Sequence, residues 1–362
     1  MALSIRHWER FWVVHHRFIL EKGYRLPERY DPDWVPSWFR RKYNSGNINQ
    51  MEPDGVVLDN PKLLNAIRIR DGKKVVLKRV SVDIDVPILE FLHSPEFAAD
   101  PRNKPVPLLD VIYLPDDENT ALIVIPLLLH FNALAAPFRF VLSECVEAIN
   151  QFLQGLSFYH ENYIAHRDAC YLNLMMDPSN IVPGGFNFSY PSWQEDLQKM
   201  AKYRDRRSVR PVKYYFIDFE TALILPPETY GDDPQFFGMI GQDKTAPEWS
   251  TPDQAYNPFK LDVYQLGGDI LKVVERYEGL ESFLPLCTSM MKKNPYERMT
   301  AAEACKNFKD MVSAMTTQDL DSRVWPKTLG RKERRLIACK SDGLLKRFWV
   351  PIYEFFQEDD WP

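Results

Sequence analysis

The sequence predicts an α+β fold with two lobes, a small mainly β lobe followed by a larger mainly α lobe. Short β-like apolar runs dominate up to about residue 130, and helical periodicity dominates from Phe140 to about residue 315. Strands that come first and helices that come afterwards are typical of α+β proteins. The chain has 362 residues, of which 45% are hydrophobic, and this is enough for a sizeable core.

Residues 1–55 predict an N-terminal extension. Apolar side chains recur at helical spacing in residues 1–23, as at Trp8, Trp12 and Ile19, and predict an amphipathic helix. Charged residues interrupt that stretch, so it does not resemble a signal peptide. Residues 24–55 are rich in Pro, Tyr, Trp and Arg, which favours an extended segment that wraps a surface.

Residues 56–130 predict the mainly β lobe. β-Like runs occur at VVL, AIRIR and VVLKRV, and Asp71-Gly72 between the last two is a hairpin signal. A short helix is predicted around residues 87–93, and PLLDVIYL and ALIVIPLL predict two further strands.

Residues 131–315 predict the mainly α lobe, with an insertion at about residues 181–213, and residues 316–362 predict a C-terminal extension. The longest apolar stretch, residues 121–138, contains Pro126, His130, Asn132 and Pro137. A membrane span would not normally tolerate this set of residues, so no membrane partner is predicted.

Charge and cysteine content restrict the partners and the compartment. The net charge of −5 does not indicate a nucleic-acid partner. Five cysteines, an odd number without a CxxC pair, are typical of reduced thiols inside a cell. We therefore predict an intracellular, cytoplasmic protein, and the basic cluster at residues 331–335 leaves a nuclear location open. The oligomeric state stays open.

The residues that predict chemistry follow one another in a fixed order. His166, Arg167 and Asp168 are followed by Asn173, and Asp218 comes directly after a β-like run. Phosphoryl transfer needs a clamp on the nucleotide, metal ligands and a carboxylate that orients the attacking hydroxyl. Asp168 is placed to orient the hydroxyl, whereas Asn173 and Asp218 are candidate ligands of a divalent cation.

Lys78 and three later residues complete the pattern. Lys78 ends the run VVLK, where a strand lysine could point at nucleotide phosphates. Ala246-Pro247-Glu248 follows Asp218. With these residues included, the region from about residue 56 to residue 310 resembles a eukaryotic protein-kinase domain. The aromatic run GYRLPERYDPDWVPSW resembles the lead-in of a kinase-like group expanded in basidiomycete fungi.

The resemblance implies a bilobal kinase-like fold, ATP and Mg²⁺ as cofactors, and a protein substrate or regulatory partner. It implies the following roles: Lys78 as the phosphate-binding lysine, His166, Arg167 and Asp168 as the catalytic loop with Asp168 as base, and Asn173 and Asp218 as magnesium ligands. It also implies adenine contacts from Val76, Ile125, Leu128 and Met175, with Ile125 as gatekeeper.

Four further positions correspond to structural residues of that family. Asp262 would anchor the catalytic loop from a helix, and Arg298 would pair with Glu248. Asp85 stands where the family has the glutamate that pairs with the strand lysine, and Glu90 and Glu96 are the alternatives.

The sequence departs from the family pattern at several positions. No glycine-rich loop precedes Lys78, Glu220 replaces the glycine after Asp218-Phe219, and Cys170 and Gly241 replace the usual lysine and threonine. Three hypotheses therefore stay open: a protein kinase with a Ser/Thr acceptor and reduced activity, a pseudokinase that acts as a scaffold or allosteric regulator, and a small-molecule phosphotransferase, for which FIDFETA is the resemblance.

Two regulatory features are also hypotheses from the sequence. The insertion ends in a basic run that is either a docking patch for acidic groups or a solvated surface. Arg167 could receive a phosphate from a hydroxyl between Asp218 and Glu248, and the hydroxyls in that interval include Thr221, Thr229, Tyr230 and Thr245.

Overall fold

The computed structural model describes residues 5–40, 52–58, 60–133, 141–238, 241–251 and 253–335. The predicted regions that lie outside these ranges include residues 336–362 of the C-terminal extension, with Cys339, and residues 41–51 of the N-terminal extension. The fold is a mixture of helices and antiparallel strands, as the sequence predicts.

The helices and strands have the following bounds. The α-helices are α1 Arg10–Val14, α2 His16–Glu21, α3 Ser37–Arg40, α4 Asp85–Leu92, α5 Pro95–Ala98, α6 Leu142–Glu161, α7 Pro227–Tyr230, α8 Pro258–Arg276, α9 Leu284–Met290, α10 Ala301–Ser313 and α11 Thr317–Leu320. The strands are β1 Tyr24–Arg25, β2 Leu63–Arg68, β3 Lys74–Ser81, β4 Asp110–Tyr113, β5 Thr120–Pro126, β6 Leu129–His130, β7 Ile164–Ala165, β8 Leu174–Met176, β9 Tyr214–Phe216, β10 Leu223–Ile224, β11 Tyr277–Glu278 and β12 Trp325–Pro326.

The described residues form two compact units. The first contains residues within 1–100, 105–129 and 177–204, and the second contains residues 101–104, 130–176 and those from 205 onward. The first unit is larger than the predicted lobe of residues 56–130, because it includes the N-terminal extension and most of the insertion.

A five-stranded antiparallel sheet organises the first unit, in the order β1-β2-β3-β5-β4. The predicted Asp71-Gly72 turn joins β2 to β3, and Gly72 has the positive φ (68°) that this turn requires. The helix predicted around residues 87–93 is confirmed as α4. The predicted strand at Val56–Leu58 is wrong, because those residues follow a 3-10 turn and pair with no strand among the described residues.

The N-terminal extension covers one face of that sheet. Trp12, Ile19 and Tyr24 share a buried apolar cluster with the sheet residues Leu77 and Val124. The predicted single helix is divided into α1 and α2 at His15. This packing explains why the extension belongs to the first unit: its apolar face is part of the core.

Two long helices, α6 and α8, organise the second unit. The helix predicted after Phe140 is confirmed as α6. Asn257 caps α8 by accepting the Lys260 N–H at 3.1 Å, and Pro258 occupies the first turn, where its missing N–H costs nothing. All residues from 261 to 270 are buried. The middle of the helix is therefore enclosed on every side, and its polar residues must find partners within the protein.

No helix among the described residues is long and apolar enough to cross a membrane.

Candidate active site

The first unit contains Lys78, Val76, Ile125 and Leu128. Lys78 and Val76 lie on β3, and Val76 is opposite Ile125 on β5. Asp85 begins α4, is 4% exposed and accepts the Ser81 N–H at 2.9 Å. Glu90 and Glu96 are exposed. Of the three acidic candidates named for the lysine partner, Asp85 is therefore the buried one next to β3.

The connection between β1 and β2 is where the resembled family has its glycine-rich loop. The two strands are antiparallel neighbours, with Tyr24 opposite Arg68. Residues 26–62 separate them in the chain, so no tight hairpin joins them. A glycine-rich hairpin brings backbone N–H groups close to phosphates, and the described residues between β1 and β2 (26–40, 52–58 and 60–62) contain no such hairpin.

The predicted catalytic loop, residues 166–173 of the second unit, is attached to α8. Asp262 is fully buried, and its two carboxylate oxygens accept the N–H groups of His166 at 2.8 Å and Arg167 at 2.6 Å. His160 Nε2 lies 3.0 Å from Asp262 Oδ2. One turn further along α8, Gln265 Oε1 accepts the Ala169 N–H at 3.0 Å. Three residues of the loop, His166, Arg167 and Ala169, are therefore held to the helix through their backbone N–H groups.

Asp168 has hydrogen bonds at both carboxylate oxygens. Its Oδ1 accepts the Gln242 N–H at 2.8 Å, and its Oδ2 accepts from Asn173 Nδ2 at 2.8 Å. The same Asn173 nitrogen also donates to the Asp168 carbonyl at 2.9 Å. Asp168 is 4% exposed, so these hydrogen bonds replace the water that a buried carboxylate lacks.

Gly241 explains how Gln242 reaches Asp168. Gly241 has a φ of 65°, and a Cβ at this position would lie 2.3 Å from Asp168 Oδ1. Only glycine permits both this backbone conformation and this approach. The backbone of residues 241–242 thus contacts the carboxylate directly, at the position where the resembled family has a threonine.

Asp218 and Arg167 both have left-handed backbone conformations, with φ values of 65°. Such strain in non-glycine residues collects at functional sites, because the surrounding structure must enforce it. The Ile217 carbonyl, just before Asp218, lies 3.1 Å from His166 Nε2. Phe219, just after it, is buried with its ring 4.6 Å from that of His166. The residues next to these two strained positions therefore contact each other: His166, before Arg167, meets Ile217 and Phe219, which flank Asp218.

The predicted magnesium ligands are oxygen donors of the kind that a hard cation prefers. Because Asn173 Nδ2 donates to Asp168, the amide oxygen of Asn173 is the atom that would face a cation. Among the residues that the structure describes, no group of three His, Cys, Asp or Glu side chains is arranged to hold a metal ion. Asn173 and Asp218 as a magnesium pair stay a prediction.

Arg298 and Glu248 form the ion pair that the sequence predicts. Arg298 Nη1 lies 2.5 Å and Nη2 3.2 Å from the two Glu248 oxygens. Arg298 also donates to the carbonyls of Lys260 and Lys292 and is 2% exposed. The planar guanidinium thus binds the carboxylate and two backbone carbonyls at the same time, which a lysine could not reproduce.

Sequence reasoning missed several residues of this site, among them Gln242, Gln265, Tyr256 and Asp269. Asp269 lies two turns after Asp262 on α8 and is 1% exposed. Burial is the main cause that raises the pKa of Asp269 to about 8. The nearby Lys272 opposes this rise, and the negative charges of Asp243 and Asp168 add to it. The signal in the sequence was a polar residue in the apolar run of α8, but polarity alone does not identify a neighbour.

Cys170 lies within the predicted catalytic loop, and Met175 lies two residues after its end. Cys170 is 4% exposed, and burial followed by the charge of Asp168 raises its pKa above the usual value. A neutral thiol therefore stands where the resembled family has a lysine. Met175 lies on β8 opposite Tyr215, in the second unit, and is half-buried.

The basic run of the insertion is partly used by the fold. Arg206 is buried and donates to Tyr214 Oη at 3.1 Å and to the Phe131 carbonyl at 2.6 Å. Arg210 lies 3.4 Å from Glu147. These contacts favour the structural interpretation for both arginines, whereas Lys199 and Lys202 are exposed.

Comparison with known proteins does not assign the chain to a family: no family model matches it, and no curated protein matches its sequence.

Proposed function

We propose that this chain is an ATP-dependent protein kinase that transfers the γ-phosphate of ATP to a protein hydroxyl, with Ser or Thr as the acceptor. The observation that carries the proposal is the anchored loop around Asp168. Asp262 and Gln265 hold its backbone, and Asn173 orients the Asp168 carboxylate. A carboxylate fixed in this way is suited to orient a hydroxyl for in-line attack.

The remaining roles follow from the residues that match the kinase order. Bound Mg²⁺ would neutralise charge on the nucleotide phosphates, and oxygens of Asn173 and Asp218 would hold it. Lys78 would contact the α- and β-phosphates, and Asp85 is its proposed partner. Asp168 would accept the proton of the substrate hydroxyl as the new P–O bond forms and the bond to ADP breaks.

A second candidate function is a pseudokinase that acts as a scaffold or regulator. The observation that favours it is the contact of the Gln242 N–H with Asp168 Oδ1. Together with the Asn173 bond, it leaves the carboxylate engaged on both oxygens. The absence of a hairpin from the described residues between β1 and β2 points the same way, because such a hairpin is the usual grip on ATP.

Two measurements separate these functions. In the first, thermal unfolding is followed with and without MgATP; a ligand at 100 times its Kd raises the free energy of unfolding by about 2.7 kcal/mol. In the second, transfer of labelled γ-phosphate to a generic protein substrate is measured for wild type, Asp168→Asn and the exposed control Asp116→Asn. The kinase predicts a thermal shift and loss of transfer in Asp168→Asn alone. A shift without transfer favours the pseudokinase, and equal transfer in all three proteins contradicts the role of Asp168.

A further inference from the structure

Arg167 is held by neutral groups from the segment that follows Asp218. Its Nε donates to Tyr256 Oη at 3.2 Å, and its Nη1 donates to the Thr221 carbonyl at 3.2 Å. The ring of Phe236 lies 5.0 Å from Arg167 Cζ, within the range of a cation–π contact. One guanidinium therefore joins three points of a single segment.

Tyr256 and Phe236 are themselves fastened to the second unit. Their backbones exchange two hydrogen bonds, from the Phe236 N–H at 2.8 Å and from the Tyr256 N–H at 2.9 Å. Tyr256 is 8% exposed and shares an apolar cluster with Leu261 and Tyr264 of α8. The partners of Arg167 are therefore parts of the folded core.

The hydroxyl groups of this segment fall into two classes. Thr221 Oγ1 donates to the His166 carbonyl at 3.0 Å, and Thr245 Oγ1 donates to Asp243 at 2.7 Å, so both are engaged. Thr229 and Tyr230 are exposed at the end of α7. Thr245 is exposed as well, so its hydrogen bond to Asp243, and not burial, is what distinguishes it from Thr229 and Tyr230.

We propose that Tyr256 and Phe236 act as a built-in clamp on Arg167, which keeps the described residues of the segment after Asp218 (219–238, 241–251 and 253–256) ordered without phosphorylation of this segment. The clamp takes the place of the phosphate that the sequence hypothesis assigned to Arg167. Tyr256 is then a positioning residue that acts through Arg167 on the catalytic loop. The consequence for activity rests on the proposed kinase function, whereas the ordering of the segment does not.

The direct test is amide hydrogen exchange of full-length protein that phosphatase treatment has freed of phosphate, as intact mass confirms. The variant Tyr256→Phe keeps the ring and removes the hydroxyl, and Tyr113→Phe, an exposed tyrosine on β4, is the matched control. We expect protected Phe236 and Tyr256 amides in wild type. In Tyr256→Phe we expect about tenfold faster exchange, because a hydrogen bond from a charged donor is worth at least that factor.

Two outcomes overturn the clamp: exchange at these amides that is fast in phosphate-free wild type, or exchange that is unchanged in Tyr256→Phe. A second variant, Phe236→Leu, guards against a folding defect, since it keeps an apolar side chain and removes the ring beneath Arg167. In an Arg167→Gln background, neither Tyr256→Phe nor Phe236→Leu should speed up amide exchange any further, because the clamp acts through that guanidinium.

An activity measurement distinguishes failure of the clamp from failure of the kinase proposal. In an active preparation, Tyr256→Phe should lower kcat and leave the KM for ATP unchanged, with or without phosphatase treatment. The double variant Thr229→Ala, Tyr230→Phe should keep wild-type kcat; loss of activity in it contradicts the clamp. If wild type transfers no phosphate, the kinase proposal fails and the exchange result still decides the clamp.

Discussion

Gly241 and Asp168 illustrate, at the scale of single residues, how a backbone can replace a side chain. The contact needs both the positive φ of Gly241 and the space that its missing Cβ leaves beside the carboxylate. The sequence marked Gly241 as a departure from the family pattern but did not show its neighbour. The structure accounts for it as the residue that lets Gln242 reach Asp168.

We predict that Gly241→Ala lowers stability and any phosphate transfer. The alanine costs about 1–2 kcal/mol for the left-handed conformation, and its Cβ must also displace Asp168. Gly72→Ala is the matched control, because Gly72 has a similar φ of 68° and nothing within 4 Å of the added Cβ. Urea denaturation should show the larger loss for Gly241→Ala, and equal losses would contradict the steric argument.

Asp269 gives a prediction about pH. In the folded protein burial raises the pKa of Asp269 from 3.8 to about 8, so the folded state keeps a proton that the unfolded state releases near pH 4. The free energy of unfolding therefore falls as pH rises between these values, by up to about 1.4 kcal/mol per pH unit from this group.

The variant Asp269→Asn should remove that contribution, because an amide does not titrate. Melting temperatures at pH 5, 6.5 and 8 should fall less steeply for Asp269→Asn than for wild type. Asp253→Asn, an exposed position, should follow the wild-type slope. An Asp269→Asn slope that equals that of wild type would show that the carboxyl is already ionised in the folded protein.

At the scale of secondary-structure elements, α8 organises the second unit. Asp262, Gln265 and Asp269 lie in the buried part of one helix, and the first two hold the backbone of the predicted catalytic loop. The Lys260 carbonyl near its first turn accepts from Arg298 at 3.0 Å. The helix therefore connects the loop at residues 166–169 to the ion pair of Arg298 and Glu248.

We predict that Arg298→Lys strongly destabilises the second unit although it keeps the charge. A lysine cannot occupy the forked site, and breaking a buried ion pair costs about 3–5 kcal/mol. Arg70→Lys, at an exposed position, is the control and should change stability little. Urea denaturation measures the difference; a loss below about 1 kcal/mol, the value of a surface pair, would contradict the buried role.

At the scale of the whole molecule, the reactivity of the buried cysteines measures whether the core around α6 and α8 is closed to solvent. Cys145, Cys170, Cys287 and Cys305 are free and buried. Burial raises the pKa of Cys287 to about 12 and raises that of Cys145 as well. Because all four side chains are buried, these thiols should be inert in the folded protein.

We expect a water-soluble thiol reagent to modify those four cysteines only after urea unfolding, as read by peptide mass spectrometry. Free glutathione at the same pH is the reactivity standard. Modification of Cys170 in native protein at the rate of glutathione would show that the loop of residues 166–173 opens, and would contradict the packing described for it.

The sequence by itself determined several local elements and the order of the site residues. The periodicity of residues 142–161 and the Asp71-Gly72 turn depend on neighbours a few positions apart, and these were predicted correctly. The spacing from His166 to Asn173 identified the loop that Asp262 anchors, but the role of Asp168 in catalysis stays a prediction.

Only the tertiary structure decided which distant segments meet. Gln242 contacts Asp168 across 74 positions of sequence, and Tyr256 contacts Arg167 across 89. The pairing of β1 with β2 and the burial of Asp269 are of the same kind. Contacts of this sort depend on the packing of the whole core and leave no periodic pattern in the chain, because hydrophobic burial is non-directional and does not specify which polar groups it brings together.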